Sequence, residues 1–257
     1  VLQDFLATGV LAFILTFTRM GTAIMIMPGL GDSFVPERIR LHIALGISFV
    51  LFPLAVPYMP NPMPGTIGLL SLVAMEFIIG VFFGTVARIF MMALDTAGMV
   101  ISISSSLSNA QMFNPSLATQ GSLMGAFLSV TGVVFLFVTD LYHLLIGGLV
   151  QSYKLFPVGA VPQSGDMADL IARVVSKSFM IGIQIGAPFL VLTLVMYIGM
   201  GVLSRLMPQM QVFMIGLPVQ ILVSLVILMM MLSAGYLFWA REFEAGMMFF
   251  FENARSG

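Results

Sequence analysis

The chain has no cysteine, two histidines, one tryptophan and only 8% charged residues. Each scarcity removes a class of function. Without thiols there is no disulfide, no thiolate metal site and no cysteine nucleophile. Ten lysines and arginines against eleven acids give a net charge of −1, so no basic field attracts nucleic acid or an anionic surface. No serine sits on a nucleophile elbow, no HExxH occurs, and no glycine-rich loop leads into a phosphate-binding lysine. The residues therefore argue against an enzyme, and none of them asks for a metal or another cofactor.

Apolar residues are what the chain has in plenty, at 60%. That composition belongs to a membrane-embedded protein. Apolar runs close to the ~20 residues needed to cross the hydrocarbon core lie near 5–27, 40–58, 66–93, 123–150, 178–203 and 212–237. The expected fold is an all-α integral membrane protein with about six spans. The N-terminal run carries an acid, has no basic leader and continues past Arg19, so it reads as a retained first span. The run 151–177 reads as the longest charged loop. Lysines and arginines fall on both sides of this arrangement, and their distribution does not fix a topology.

Pro53, Pro57, Pro188 and Pro218 lie in or near apolar segments, where a missing backbone donor kinks a helix. They are either packing kinks or the marks of a chain shaped to curve around something. Twenty-three methionines offer unbranched, polarizable side chains, which serve as gap filler or as a pliable seal.

Arg19, Glu76, Arg88, Asp95 and Asp140 sit within or at the edges of the expected spans. Ionisable residues there face a bundle interior, a partner or a cavity. Ion pairs that fix assembly are the main reading and a proton relay the other. Glu76 and Arg88 are too far apart to pair along one helix, so each needs a partner elsewhere. Asp140 and His143, in DLYH, share a helix face and suit a local hydrogen bond better than a metal site.

The run SISSSLSNAQMFNPSLATQGS, 102–122, is polar yet carries no charge. An exposed loop would normally carry charge, and a lipid-facing helix would not carry so many amides and hydroxyls. Asn114-Pro115 marks a turn within it.

Three blocks carry a resemblance: RMGTAIMIMPGLGDSFVPERIRLHIAL from Arg19, EFIIGVFFGTVARIFMMALDTAGMVISISSSLSNAQMFNP from Glu76, and RLMPQMQVFMIGLP from Arg205. The ordered set of Arg19, Pro36, Arg38, Glu76, Gly80, Gly84, Ala97, Gly98, Pro115, Pro208, Gln209, Phe213, Gly216 and Pro218 is similar to the FliR family of the flagellar type III export gate, with SctT-like relatives in virulence secretion. The resemblance covers nearly the whole chain and implies a single export-gate domain over 1–257. It implies long kinked helical hairpins resembling a fusion of FliP-like and FliQ-like subunits. It also implies assembly with those subunits, binding of an FlhB-like protein, and conduction of unfolded rod, hook and filament proteins. The expected place is the basal body of the bacterial inner membrane, with the gate raised toward the periplasm.

By the same resemblance, the loop over 104–120 plugs the pore, through Ser104, Ser106, Asn109, Gln111, Met112, Phe113, Asn114, Pro115 and Gln120. The chain departs from the family pattern there, with Met99, Ser104, Ser106 and Asn114 where relatives often carry an acid, Gln, Gly and Asp. The alternative is a proton-coupled small-solute transporter using Asp140, Glu76 and Asp95 as its relay, against which no inverted repeat is apparent.

Overall fold

Seven helices account for most of the described residues: α1 Leu2–Ile26, α2 Glu37–Ala55, α3 Thr66–Ser104, α4 Leu123–Val138, α5 Leu141–Leu155, α6 Ser164–Leu206 and α7 Val212–Glu252. The structure is a computed structural model that describes residues 2–60, 65–108, 122–159, 164–209 and 211–252, excluding the side chains of 2–8, 164, 213, 249 and 252. Among the described residues there is no strand, so the fold is all-α. Five helices are long and apolar enough to cross a membrane, and six if the broken pair α4–α5 counts as one span.

Local chemistry explains the boundaries. Pro36, extended at ψ 138, precedes α2, and Glu37 in its first turn complements the positive end of the helix dipole. Ser122 caps α4 by accepting the Gly125 N–H at 3.1 Å. Asp140, with φ 59, breaks the run between α4 and α5, a left-handed conformation that a short polar side chain tolerates better than an apolar one. The expected single span 123–150 is thus two helices, broken where there is no proline.

Several elements exceed their expected length. α3 continues through Ser104, so the start of the polar run is helical. The expected loop 151–177 is mostly helix, because α5 runs to Leu155 and α6 begins at Ser164. Its charges are held at helical spacing, with Arg173 donating from Nη2 to Asp169 Oδ2 at 2.6 Å. Pro53, Pro188 and Pro218 all stand inside continuous helices, and Pro57 lies in the short 3₁₀ turn Val56–Tyr58.

The contacts divide the chain into two units. One comprises Val1–Ile89, Leu136–Val174 and Phe243–Gly257. Its core includes Leu15, Ile79, Phe83, Tyr153 and Phe250, all nearly inaccessible. Phe13 meets Phe49 and Phe52 edge-on to close the α1–α2 hairpin. The α1–α3 crossing is close because a Cβ on Gly80 would collide with Thr22 and the Arg19 carbonyl, and one on Gly84 with Ile26 and the Ala23 carbonyl.

The other unit comprises Phe90–Phe135 and Val175–Glu242. Leu94, Ala97, Ile101, Leu128, Phe189 and Trp239 fill its core. Gly98 of α3 lies against the backbone of Gly125 in α4, with no room for a Cβ. Gly182 and Gly186 bring α6 equally close to Thr96 and Val100 of α3. The Trp239 indole donates to the Phe90 carbonyl at 2.9 Å and the Tyr236 hydroxyl to the Leu128 carbonyl at 2.9 Å, which satisfies both buried polar tips.

Candidate functional site

In the first unit the intramembrane charges find partners within the chain. Arg19 of α1 grips Glu76 of α3 at two points, Nε to Oε2 at 2.6 Å and Nη2 to Oε1 at 2.7 Å, and both side chains are fully buried. Nη2 also donates to the Phe156 carbonyl at 2.8 Å and Nη1 to Ser152 Oγ at 3.3 Å. The guanidinium carbon stands 4.0 Å above the Tyr153 ring. This arrangement occupies the planar donor fork from several directions, the condition under which a buried ion pair is tolerated. It joins α1, α3 and α5.

Arg88 instead holds the α1–α2 turn, donating to the Ile26 carbonyl at 3.2 Å and lying 3.4 Å from Asp32. Asp32 in turn accepts the Gly29 N–H at 2.8 Å, and Arg40 donates to the Gly31 carbonyl at 3.2 Å. Arg38 is exposed, and its carbonyl lies 2.5 Å from His42 Nδ1. Asp140 and His143 are 3.6 Å apart with side chains 75% and 64% exposed, in keeping with a local contact. Among the described residues no group of three or more acids and histidines could hold a metal.

The second unit holds the end of α3. Ser102, Ser104, Ser105 and Ser106 are all buried, and Ser106 turns the chain with φ 62, where a helix end usually places glycine. The Ser104 carbonyl, one of those a helix terminus leaves unpaired, accepts two side-chain bonds. Thr193 Oγ1 of α6 donates to it at 2.6 Å and Gln220 Nε2 of α7 at 2.6 Å. Three helices thus meet at one oxygen. The other polar atoms there are less well served: Ser104 Oγ, Gln220 Oε1 and Ser224 Oγ are buried without a hydrogen-bond partner among the described residues. Neither Gln220 nor Thr193 was singled out from the sequence, although an amide in an apolar helix two residues after Pro218 is a usable signal.

Of the expected plug residues, Ser104 and Ser106 are placed as above, while Asn109, Gln111, Met112, Phe113, Asn114, Pro115 and Gln120 lie outside the described residues. Pro208 and Gln209 are exposed between α6 and α7, and Pro218 is exposed within α7. Gly216 is buried so closely against Met200 that a Cβ would overlap its sulfur. The side chain of Phe213 is outside the described set. Asp95 accepts from Ser129 Oγ at 2.5 Å on an exposed face.

The family described as bacterial export proteins, family 1, matches residues 10–246. The chain belongs to that family. It is 38% identical over 231 residues to the flagellar biosynthetic protein FliR of Caulobacter vibrioides, covering 90% of this chain and 92% of that one. It is 29% identical over 242 residues to FliR of Aquifex aeolicus, covering 94% and 92%. The Yop proteins translocation protein T of Yersinia pestis is 25% identical over 222 residues, covering 85% of each chain. Family membership and the apolar helices together make this a membrane component of a flagellar or related type III export apparatus.

Proposed function

We propose that the chain is a channel-forming subunit of the flagellar type III export gate, assembled with FliP-like and FliQ-like subunits and an FlhB-like protein in the inner membrane at the basal body. It helps conduct unfolded rod, hook and filament proteins, and the charge-free run 104–120 closes the passage. The observation that carries this reading is the anchoring of that run. Its first residue is bonded to two other helices, through Thr193 and Gln220, and Ser105 and Ser106 are buried beside it. That anchorage of the root to two helices supports the gating role. Lack of charge suits contact with many substrate sequences, because no ionic attraction favours one of them.

A proton-coupled transporter is not favoured. Glu76, one member of its relay, is locked in a saturated contact with Arg19, and Asp140 is exposed beside His143.

The test is to remove part of the run in cells that make the whole apparatus, and to record both co-purification of the FliP-like and FliQ-like subunits and the ion permeability of the membrane. Leakage through an assembled complex is expected. An assembled deletion complex with unchanged permeability would sink the gating role.

A further inference from the structure

Asp95 is an intramembrane acid for which the described residues supply no cationic partner. Arg19 and Glu76 satisfy one another, Arg88 has Asp32, and Asp140 has His143. Asp95 has only a hydroxyl: Ser129 Oγ donates to Oδ1 at 2.5 Å, and among the described residues no lysine or arginine reaches it. Its surroundings make that isolation costly. Met92, Asp95, Met99 and Ile103 follow one another on α3 at spacings of three, four and four residues, which aligns them along one helix face. Met92, Met99 and Ile103 are 53%, 53% and 70% exposed. Within this unit α6 crosses α3 at Thr96 and Val100, and α4 crosses it at Gly98. By helical geometry these crossings lie on opposite sides of the stripe, which leaves the stripe uncovered between them among the described residues.

We infer that this face docks a membrane helix of another subunit, one that carries a single lysine or arginine level with Asp95 among apolar neighbours. The spacing of the stripe is that of a helix-packing seam. A carboxylate at the centre of such a seam is tolerable only against a cation or water, because burying it alone is far more costly than any of the contacts around it gains. The apolar neighbours Met92, Met99 and Ile103 favour a helix over water as the occupant. Ser129 holds one carboxylate oxygen, Oδ1, with a neutral hydroxyl that does not balance the charge. The inference rests on the reading of this chain as one subunit of a membrane complex, and adds the place and chemistry of one contact.

The chain lacks cysteine, so single thiols can be placed on this face without background. The test uses the full chain expressed with its apparatus and purified from membranes. Asp95→Lys is expected to lower the co-purified partner at least tenfold, and exchange of one membrane lysine or arginine of that partner for aspartate is expected to restore it. Met99→Cys is expected to resist a membrane-impermeant maleimide in the complex and to react in the detergent-solubilised chain expressed alone. Met99→Trp, which fills the seam without altering charge, is expected to reduce assembly as well and covers the case in which Asp95→Lys lowers the yield of the chain itself. Full assembly of both Asp95→Lys and Met99→Trp overturns the inference, as does rapid labelling of Met99→Cys in the complex, which would make this face the wall of an aqueous passage. If even the wild-type chain brings down no membrane subunit, both the inference and the function proposed above fail. If it assembles normally and only the variants are silent, the inference alone fails.

Discussion

Gln220 of α7 and Thr193 of α6 donate to the same atom, the carbonyl oxygen of Ser104 where α3 ends. Each lies a few residues after a proline within its own helix, Pro218 and Pro188. One acceptor therefore couples the end of α3 to two helices whose backbone ladders are each missing a donor.

That shared acceptor predicts non-additive losses. Gln220→Met or Thr193→Val alone leaves the carbonyl one partner, and each is expected to cost about 1 kcal/mol. The double variant strands a buried carbonyl and is expected to cost more than the sum by at least about 0.5 kcal/mol. Thermal unfolding of the four purified proteins in one detergent measures this cycle, and strict additivity would refute the shared role.

The Arg19–Glu76 contact predicts a different pattern. Arg19→Met leaves a buried carboxylate alone and Glu76→Leu leaves a buried guanidinium, and each is expected to destabilise by on the order of 3–5 kcal/mol. The double variant should recover most of that loss, because two apolar side chains of similar reach replace the pair. Yield and melting temperature of the three variants decide the matter, and a double variant as poor as the worse single one would show that the Arg19 bonds to Phe156 and Ser152 outweigh the pair itself.

The glycines sort into two groups by what a methyl group would meet. Gly98→Ala pushes α3 off the backbone of Gly125, and Gly80→Ala strikes Thr22 and the Arg19 carbonyl, so each is expected to cost about 1–3 kcal/mol. Gly46 and Gly199 face open space, and alanine there is expected to be neutral or to stabilise by up to about 1 kcal/mol. Equal melting temperatures across the four alanine variants would contradict the close crossings.

Much of the fold was legible because composition alone demands a membrane protein, and helices are the structure that long apolar runs can form there. The positions of Arg19 and Glu76 were legible as charges needing partners, but their pairing was not, since 57 residues of chain separate them and only the tertiary fold joins them. Proline was a poor guide to breaks. Pro53, Pro188 and Pro218 remain inside helices, while the clear interruption falls at Asp140, whose left-handed backbone leaves no mark in hydrophobic periodicity. The polar run was legible as unusual, and its root at Ser104 was not, because the donors that hold it come from residues 89 and 116 positions away.

The lengths of α6 and α7 carry a consequence for handling the protein. At 43 and 41 residues, with a rise of about 1.5 Å each, they extend some 60 Å, roughly twice the hydrocarbon thickness of a bilayer. Leu190, Leu194 and Ile198 on α6 and Leu222, Val226 and Met229 on α7 keep their outward side chains greasy over several successive turns. A micelle shaped like a bilayer belt would leave part of each rod bare, so the isolated chain should be hard to keep monodisperse, and its solubility should improve more from neighbouring protein than from more detergent.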